Sequence, residues 1–594
     1  MAEPGMSQSL IILSIVAFYN IIPHLNGYVF DRNPRNTKYK PSKNQFRPWP
    51  YPAFIKNYSD NELLTIYPSK LEILTNIKCD IMENAIERYA NLMFSNEYAI
   101  INKFVSIMDK LLIIVDSKKC EKYPELNSDE SYRITFFKDD EKIPIDSNYL
   151  YSAKTTKFYC GKIVAKSIWG ALRGLETFSQ LINYTDSKTY VVLKQYIKDK
   201  PLYRHRGLLI DTARHYIPVH ILKNIIEAMS YNKLNVFHWH IVDDQSFPYQ
   251  SEIFPELSKK GAYTPHMIYT KDDIKDLIEF ARLRGIRIIP ELDTPAHTYS
   301  WGKSHPEILT PCYGDGHTPE TANYPFHASR ENLNPLNPAT FNLTRRLLKE
   351  ISQLFPDKFF HAGMDEVFPD CWDSNLIMKN VSGKSQPAKW AFRQYTKKIL
   401  PFIQNTLKRH VVVWQDMLEM EIQNISKDLT YEIWKNFGSF MENGTQECAK
   451  KNYKMIISGY WYLDTPQNGE EWKKILWVKF QSLSFIIDND MYRHKIPNLL
   501  LGGEACMWTE YVDVNAIMDI LWPRTSAIAE KLWSPKNLNQ AIDLVEDRLE
   551  EHRCLMIRRG IVVKPIKPGF CGDYEDLTSN KVDEVPQWII KRVG

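Results

Sequence analysis

The sequence has no marked excess of one charge. Its 594 residues sum to a formal net charge of +4, with Lys and Arg scattered among Asp and Glu. A chain without a basic face carries no electrostatic footprint for nucleic acid or an anionic membrane, so its ligand need not be charged. It has no internal repeat and no low-complexity segment, which excludes solenoids and compositionally biased linkers. Beyond the first two dozen residues no apolar run is long enough to span a bilayer. No glycine-rich dinucleotide fingerprint follows the first strand of its larger half. The nine cysteines cannot all pair within one chain, so at least one thiol is left over.

At 44% hydrophobic and 25% charged, the composition is that of a globular protein, and the length calls for two domains. The apolar stretch Leu10 to Pro23 has the length of a signal-peptide core, and residues 1–27 read as a secretion signal, with a buried helix or uncleaved anchor as the competing reading. Six Asn-x-Ser/Thr acceptors, at Asn57, Asn183, Asn342, Asn380, Asn424 and Asn443, also suit passage through the secretory lumen. Cysteine separations suggest local bridges Cys79–Cys120, Cys312–Cys371 and Cys554–Cys571, leaving Cys160, Cys448 and Cys506, although spacing alone does not fix connectivity.

Residues 28–197 mix strand-like runs such as Leu111 to Val115 with helical stretches near Cys79 to Phe94 and Ile168 to Ile182, the pattern of a small α/β domain. After the linker Lys198-Asp199-Lys200-Pro201, residues 198–594 change character. Eight short apolar runs, Gly207 to Asp211, Leu234 to His240, Ile286 to Glu291, Lys358 to Gly363, Val411 to Trp414, Leu429 to Trp434, Lys454 to Ser458 and Leu499 to Glu504, alternate with helix-length stretches such as Val219 to Ser230 and Asp272 to Leu283. The expected fold class is therefore α/β, a C-terminal (β/α)8 TIM barrel preceded by the smaller domain, with an open doubly wound sheet as the alternative.

Catalytic groups of such a barrel sit at the carboxyl ends of its strands. The run Phe359-Phe360-His361-Ala362-Gly363-Met364-Asp365-Glu366 puts two adjacent acids there. A lone Asp-Glu pair is more often a solvated loop, but the other strand ends supply Arg214, Asp243, His297, Trp414, Trp434, Tyr462, Asp464, Trp508 and Glu510. Pyranose rings stack their C–H faces on aromatic walls, and their hydroxyls take paired hydrogen bonds from Arg and carboxylates, so this composition fits a sugar site. His238 and His240 flank Trp239 on one side of a strand with no third metal-ligand pattern, and packing is the simpler reading.

The segments Arg206 to Tyr216, Phe237 to Asp244, Glu291 to His297, Asp365-Glu366, Trp461 to Asp464 and Gly502 to Glu510, in that order and spread over nearly the whole chain, resemble family 20 glycoside hydrolases, the β-N-acetylhexosaminidases of animal lysosomal and insect type. The resemblance implies an exo-acting retaining enzyme that removes terminal GlcNAc or GalNAc, with the substrate's own acetamide oxygen attacking the anomeric carbon. On that pattern Glu366 is the general acid and later base, Asp365 orients the acetamide, and Tyr462 hydrogen-bonds its carbonyl. Asp243 and His297 form a relay beside the acid. Arg214, Asp464 and Glu510 fix hydroxyls, and Trp414, Trp434 and Trp508 wall the pocket. An acidic rate optimum follows, since the acid must be protonated when substrate arrives.

The resemblance also implies a homodimer in the lysosome or outside the cell, and it implies no metal or organic cofactor. An uncharged Thr465 after Asp464 favours neutral over sulfated sugars. Two positions depart from the family: Met364 and Ala296 stand where glycine is usual. If glycine serves a positive φ there, methionine strains the turn or shifts both acids. The competing functions are a non-catalytic glycan-binding protein on the same scaffold and an ordinary retaining glycosidase with a carboxylate nucleophile.

Overall fold

A computed structural model describes residues 47–571 except 95–105, 140–156, 186–188, 320–331, 384–385, 421, 423–425, 427, 438, 465–470, 478–494 and 537–539. The expected signal segment, Asn424 and Thr465 lie outside the described residues.

The smaller domain is a nine-stranded sheet: β1 (Phe54–Asn57), β2 (Leu63–Ile66), β3 (Glu72–Thr75), β4 (Ser106–Val115), β5 (Tyr132–Lys138), β6 (Lys157–Ala165), β7 (Ile182–Tyr184), β8 (Tyr190–Leu193) and β9 (Gln195–Asp199). Its order is β1-β9-β5-β6-β4-β2-β8-β7, with β3 alongside β4. Two helices, Asp80–Met93 and Ile168–Gln180, share a core with it. The second begins where the Ser167 hydroxyl accepts from the N–H groups of Trp169 and Gly170, and it buries Ala171, Leu172, Leu175 and Phe178 at helical spacing.

Eight parallel strands then close on themselves: β10 (His205–Asp211), β11 (Val236–Val242), β12 (Arg287–Thr294), β13 (Phe359–Gly363), β14 (His410–Trp414), β15 (Leu429–Ile433), β16 (Lys454–Ile457) and β17 (Leu500–Met507). Closure runs from His205 opposite Gly502 to Ile210 opposite Met507. The TIM barrel stands on each of the eight expected runs, whose ends differ by a few residues. β12 and β17 run further than expected because their last residues, through Thr294 and Met507, are still buried. The helix before β12, Lys271–Arg282, opens with a capping box between Thr270 and Asp273.

The barrel interior is layered, as inward positions two apart along each strand dictate. Val236, Ile289, Phe359, Val412, Ile456 and Leu501 form an apolar plug at the amino end. Above it His238, Glu291, His361, Glu432 and Glu504, all buried, make a polar layer. The aromatic cluster at the carboxyl end comes next.

The smaller domain meets the amino end through Arg173, whose guanidinium donates to Glu130 Oε1 (2.8 Å) and to the carbonyls of Arg284, Gly285 and Leu234. Sulfurs are joined at Cys79–Cys120, Cys312–Cys371 and Cys554–Cys571, while Cys160, Cys448 and Cys506 are free and buried. Of the sequon asparagines, Asn57, Asn342, Asn380 and Asn443 are exposed and Asn183 is partly so. Among the described residues no helix is long and apolar enough to cross a membrane.

Candidate active site

The acidic pair follows a tight turn at the end of β13. Gly363 has φ +69°, and a Cβ on it would lie 1.7 Å from Asp293 Oδ1, so only glycine lets the two strand ends approach this closely. Met364 follows at φ +77° with a fully buried side chain, its N–H donating to the Thr294 carbonyl (3.1 Å). Glu366 stands at φ +44°. Methionine thus occupies a left-handed position of the kind glycine favours, whereas Ala296 does not. Each such non-glycine residue stores on the order of 1–3 kcal/mol of strain. The turn sends the two acids to different surroundings: Asp365 is 7% exposed, while the Glu366 side chain is 48% exposed.

His297 lies between them. Its Nε2 is 3.6 Å from Glu366 Oε2, 3.7 Å from Asp365 Oδ2 and 3.8 Å from Asp293 Oδ2, and its Nδ1 is 3.2 Å from Asp243 Oδ1. Burial opposes a charged imidazole, yet Asp243, Asp293 and Asp365 outweigh it and hold His297 well above its ordinary pKa. Burial raises Asp365 to about 7, with Asp416, Glu366 and Glu291 adding to it against the pull of His297. Burial and the neighbouring Asp365 push Asp293 well above the carboxylate range. Asp243 goes the other way: Arg214, His297 and His240 outweigh its burial and keep it ionised. Both Asp293 oxygens, Asp365 Oδ1 and His297 Nε2 are buried without a hydrogen-bond partner, so polar atoms capable of holding a ligand converge here.

Arg214 bridges to the outer rim, reaching Asp243 (2.9 Å), Asp211 (3.0 Å) and Glu510 (3.4 Å) over the Trp508 ring (5.1 Å). Asp464 is partly buried, has an unpartnered Oδ1, and lies near enough to Glu510 to raise its pKa further after burial and Asp211. Trp414, Trp434, Tyr462 and Trp508 are one aromatic group. Tyr462 stacks on Trp434 (6.0 Å) and tilts against Trp508 (6.3 Å). Trp414 is 1% exposed, with its Nε1 donating to Glu291 Oε1 (2.8 Å), so it forms a floor beneath the other rings. Burial keeps the Tyr462 phenol well above its usual pKa, protonated and able to donate.

Beneath the floor, His238 meets Glu504 (2.6 Å) and Glu291 (3.1 Å), and His240 meets Glu291 (2.6 Å) and Asp243 (2.8 Å). Burial works against a charged His240, but the two carboxylates bring its pKa to about 9. His238, Glu291 and His361 have the donor types and proximity for a metal ion. Glu291, however, is already committed to His240, His361 and Trp414.

Two residues near the acids escaped sequence reasoning, and a third, Asp293, is legible in the sequence only as one of several strand-end acids. Asp416 follows the strand-end Trp414 by two positions and accepts from the Glu366 N–H (3.3 Å) and Trp434 Nε1 (2.8 Å). Lys435 pairs with Asp416 (2.9 Å) and Glu419 (2.6 Å). The only signal for the last two was position just past a strand end.

Paired acids in such surroundings suit protonation of a departing sugar oxygen with stabilisation of the charge left behind, and the class so defined is a glycoside hydrolase. A family model described as glycosyl hydrolase family 20, catalytic domain, matches residues 203–536, and one described as beta-acetyl hexosaminidase like matches residues 48–181. The beta-hexosaminidase subunit beta of Felis catus is 37% identical over 549 residues, 89% of this chain and 94% of its own. The Homo sapiens subunit beta is 37% identical over 88% of this chain and 89% of its own. Among solved structures, Flavobacterium johnsoniae chitobiase superposes with a TM-score of 0.67 at 24% identity, covering 88% of this chain and 74% of its own. The chain belongs to glycosyl hydrolase family 20 and is a glycoside hydrolase with β-hexosaminidase activity.

Proposed function

We propose that the enzyme is an exo-acting, retaining β-N-acetylhexosaminidase that removes terminal GlcNAc or GalNAc with the help of the substrate's acetamide. The observation that carries this reading is the contrast between the half-exposed Glu366 and the buried Asp365, both within 4 Å of His297. An exposed acid at the pocket mouth suits proton delivery to a leaving oxygen. A buried carboxylate with an unpartnered oxygen suits an acetamide N–H. Tyr462, held as a donor, serves the acetamide oxygen as it attacks the anomeric carbon. The glycosidic C–O bond breaks as the new C–O bond forms, and Glu366 gives its proton to the leaving oxygen. Water, deprotonated by Glu366, then opens the cyclic intermediate with retention.

Arg214, Asp464 and Glu510 fix hydroxyls, with Trp434 and Trp508 as walls over Trp414. The relay Asp243–His297 holds positive charge beside the acid. Asp464 should repel a 6-sulfate, so neutral sugars are preferred. Equal efficiency on sulfated and plain aryl glycosides would overturn that preference. The exposed sequons and three disulfides support a route through the secretory pathway, to lysosome or exterior, and the likeness to proteins named as beta-hexosaminidase subunits supports assembly with a further subunit, which we take to be a second copy of this chain.

The test is hydrolysis of an aryl β-N-acetylglucosaminide beside the matching β-glucoside at about pH 5. Release from the first alone, with the β-anomer as initial product, is expected. Equal release from both would mean a carboxylate nucleophile, and release from neither by folded protein would mean a glycan-binding role.

A further inference from the structure

The turn bearing the two acids needs something to hold it, because Met364 and Glu366 both sit at positive φ and the Glu366 side chain is half exposed. A restraint on the Glu366 backbone comes from another strand. Asp416, 15% exposed and just beyond β14, accepts the Glu366 N–H on Oδ1 (3.3 Å), and the same oxygen lies 2.9 Å from Lys435 Nζ. Its Oδ2 accepts Trp434 Nε1 (2.8 Å). One carboxylate thus ties the acid turn after β13 to the aromatic wall after β15. Lys435 is in turn anchored by Glu419 (2.6 Å) and lies 5.5 Å from the Trp434 ring. We propose that Asp416, with Lys435 as its counter-ion, is a positioning residue for the reaction: it sets where Glu366 stands relative to the Trp434 wall. This rests on the acetamide-assisted reading of the site.

The charge on Asp416 also reaches the neighbouring buried acid. Asp365 is faced by His297 and Asp293 from β12 and the loop after it, by its neighbour Glu366, by Glu291 beneath, and by Asp416 from β14. Of these, His297 favours the ionised form, while Asp416 and Glu366 oppose it more than Glu291 does. Lys435 offsets Asp416 and is itself held charged by Asp416 and Glu419 against its burial. Removing the carboxylate should therefore make Asp365 easier to ionise. Removing the lysine should make it harder.

The experiment measures kcat/KM against pH for the full-length wild type and the variants Asp416→Asn, Asp416→Glu and Lys435→Met on an aryl β-N-acetylglucosaminide. Asp416→Asn is expected to lose on the order of ten- to a hundredfold in kcat/KM from misplacement of Glu366. Its acid limb should move down by about half a pH unit or more. Lys435→Met should move the same limb up, and Asp416→Glu, which keeps the charge on a longer arm, should restore the limb while leaving kcat reduced. Opposite displacements by two neighbouring substitutions are not produced by general loosening of the loop. Acid limbs that stay in place in both Asp416→Asn and Lys435→Met, in an active wild type, would overturn the assignment alone. A wild type that cleaves the glucoside equally well would overturn the acetamide reading and this assignment with it.

Discussion

The two ends of the barrel are built from the same residue types to opposite effect. At the amino end, Arg206 is fully buried, with its guanidinium donating to both Glu130 oxygens (2.7 Å each) and to the carbonyls of Lys233 and Tyr203. Arg173 adds a second guanidinium to Glu130, and Lys233 reaches Asp199 (3.3 Å) and the Tyr132 hydroxyl (2.9 Å). None of these side chains has a buried polar atom left without a partner. At the carboxyl end Asp293, Asp365, His297 and Asp464 all do, and His297, Met364 and Glu366 stand at positive φ. A satisfied network locks two domains together. An unsatisfied one on a strained backbone is stability given up for groups that a substrate will complete.

Substitutions should separate the two ends cleanly. Glu366→Gln, at the exposed acid, is expected to cut kcat by about 10²–10⁴-fold while leaving stability within about 0.5 kcal/mol; steady-state kinetics and chemical denaturation together check it. Glu130→Ala should do the reverse, costing about 3–5 kcal/mol by stranding two buried guanidinium groups, with kcat per folded molecule unchanged. Burial opposes the charge on Glu130, but Arg206 and Arg173 outweigh it and hold its carboxyl below the usual range. A depressed carboxylate contributes stability above its unfolded pKa and loses it as pH falls through the folded value. That part of the acid-side decline in stability should vanish in Glu130→Ala.

A finer contrast lies within the carboxyl end. Asp293 and Asp365 are neighbouring buried acids, yet their surroundings differ: burial and the adjacent Asp365 push Asp293 well above the carboxylate range, whereas the pull of His297 limits the rise of Asp365 to about 7. Asparagine mimics a protonated aspartate, so Asp293→Asn is expected to lose less than about tenfold in kcat, and Asp365→Asn about 10² or more. An acetamide N–H donating to Asp365 favours its charged form. The acid limb of kcat, which reports the complex, should therefore lie below that of kcat/KM, which reports the free enzyme. Superposed limbs would remove the acetamide from Asp365.

What was legible in the chain follows the same division. The eight strands were readable because each is a short apolar run fixed by local pattern, from Leu208-Leu209-Ile210 to Val411-Val412-Val413. The acids at their ends were readable because barrel topology says which end faces the mouth. Asp416 was not, since a hydrogen bond from the Glu366 N–H depends on how two loops meet, at positions 50 apart in the chain. Nor could pattern separate the surroundings of Asp365 and Glu366. Adjacent in sequence, they diverge only because a left-handed turn points one inward and one out. The depth of Trp414 was equally hidden: a strand-end tryptophan reads the same as wall or floor until Glu291 is seen to take its indole N–H.

Met364 gives the smallest expected effect and the sharpest view of that turn. At φ +77° methionine pays for a conformation glycine adopts freely, and Met364→Gly would recover on the order of 1–3 kcal/mol of strain. The side chain, however, is fully buried in the core between barrel and helices, and deleting it leaves a cavity costing about 2–5 kcal/mol. Packing outweighs strain, so the variant should be less stable by about 1–2 kcal/mol. The acids themselves are placed by the Gly363 approach to Asp293 and by the Met364 N–H bond to Thr294, neither of which needs the side chain. kcat should then stay within about threefold of wild type. A glycine variant both more stable and many times faster would show that methionine displaces the acid pair, and that strain at the mouth is here a burden on catalysis and not its support.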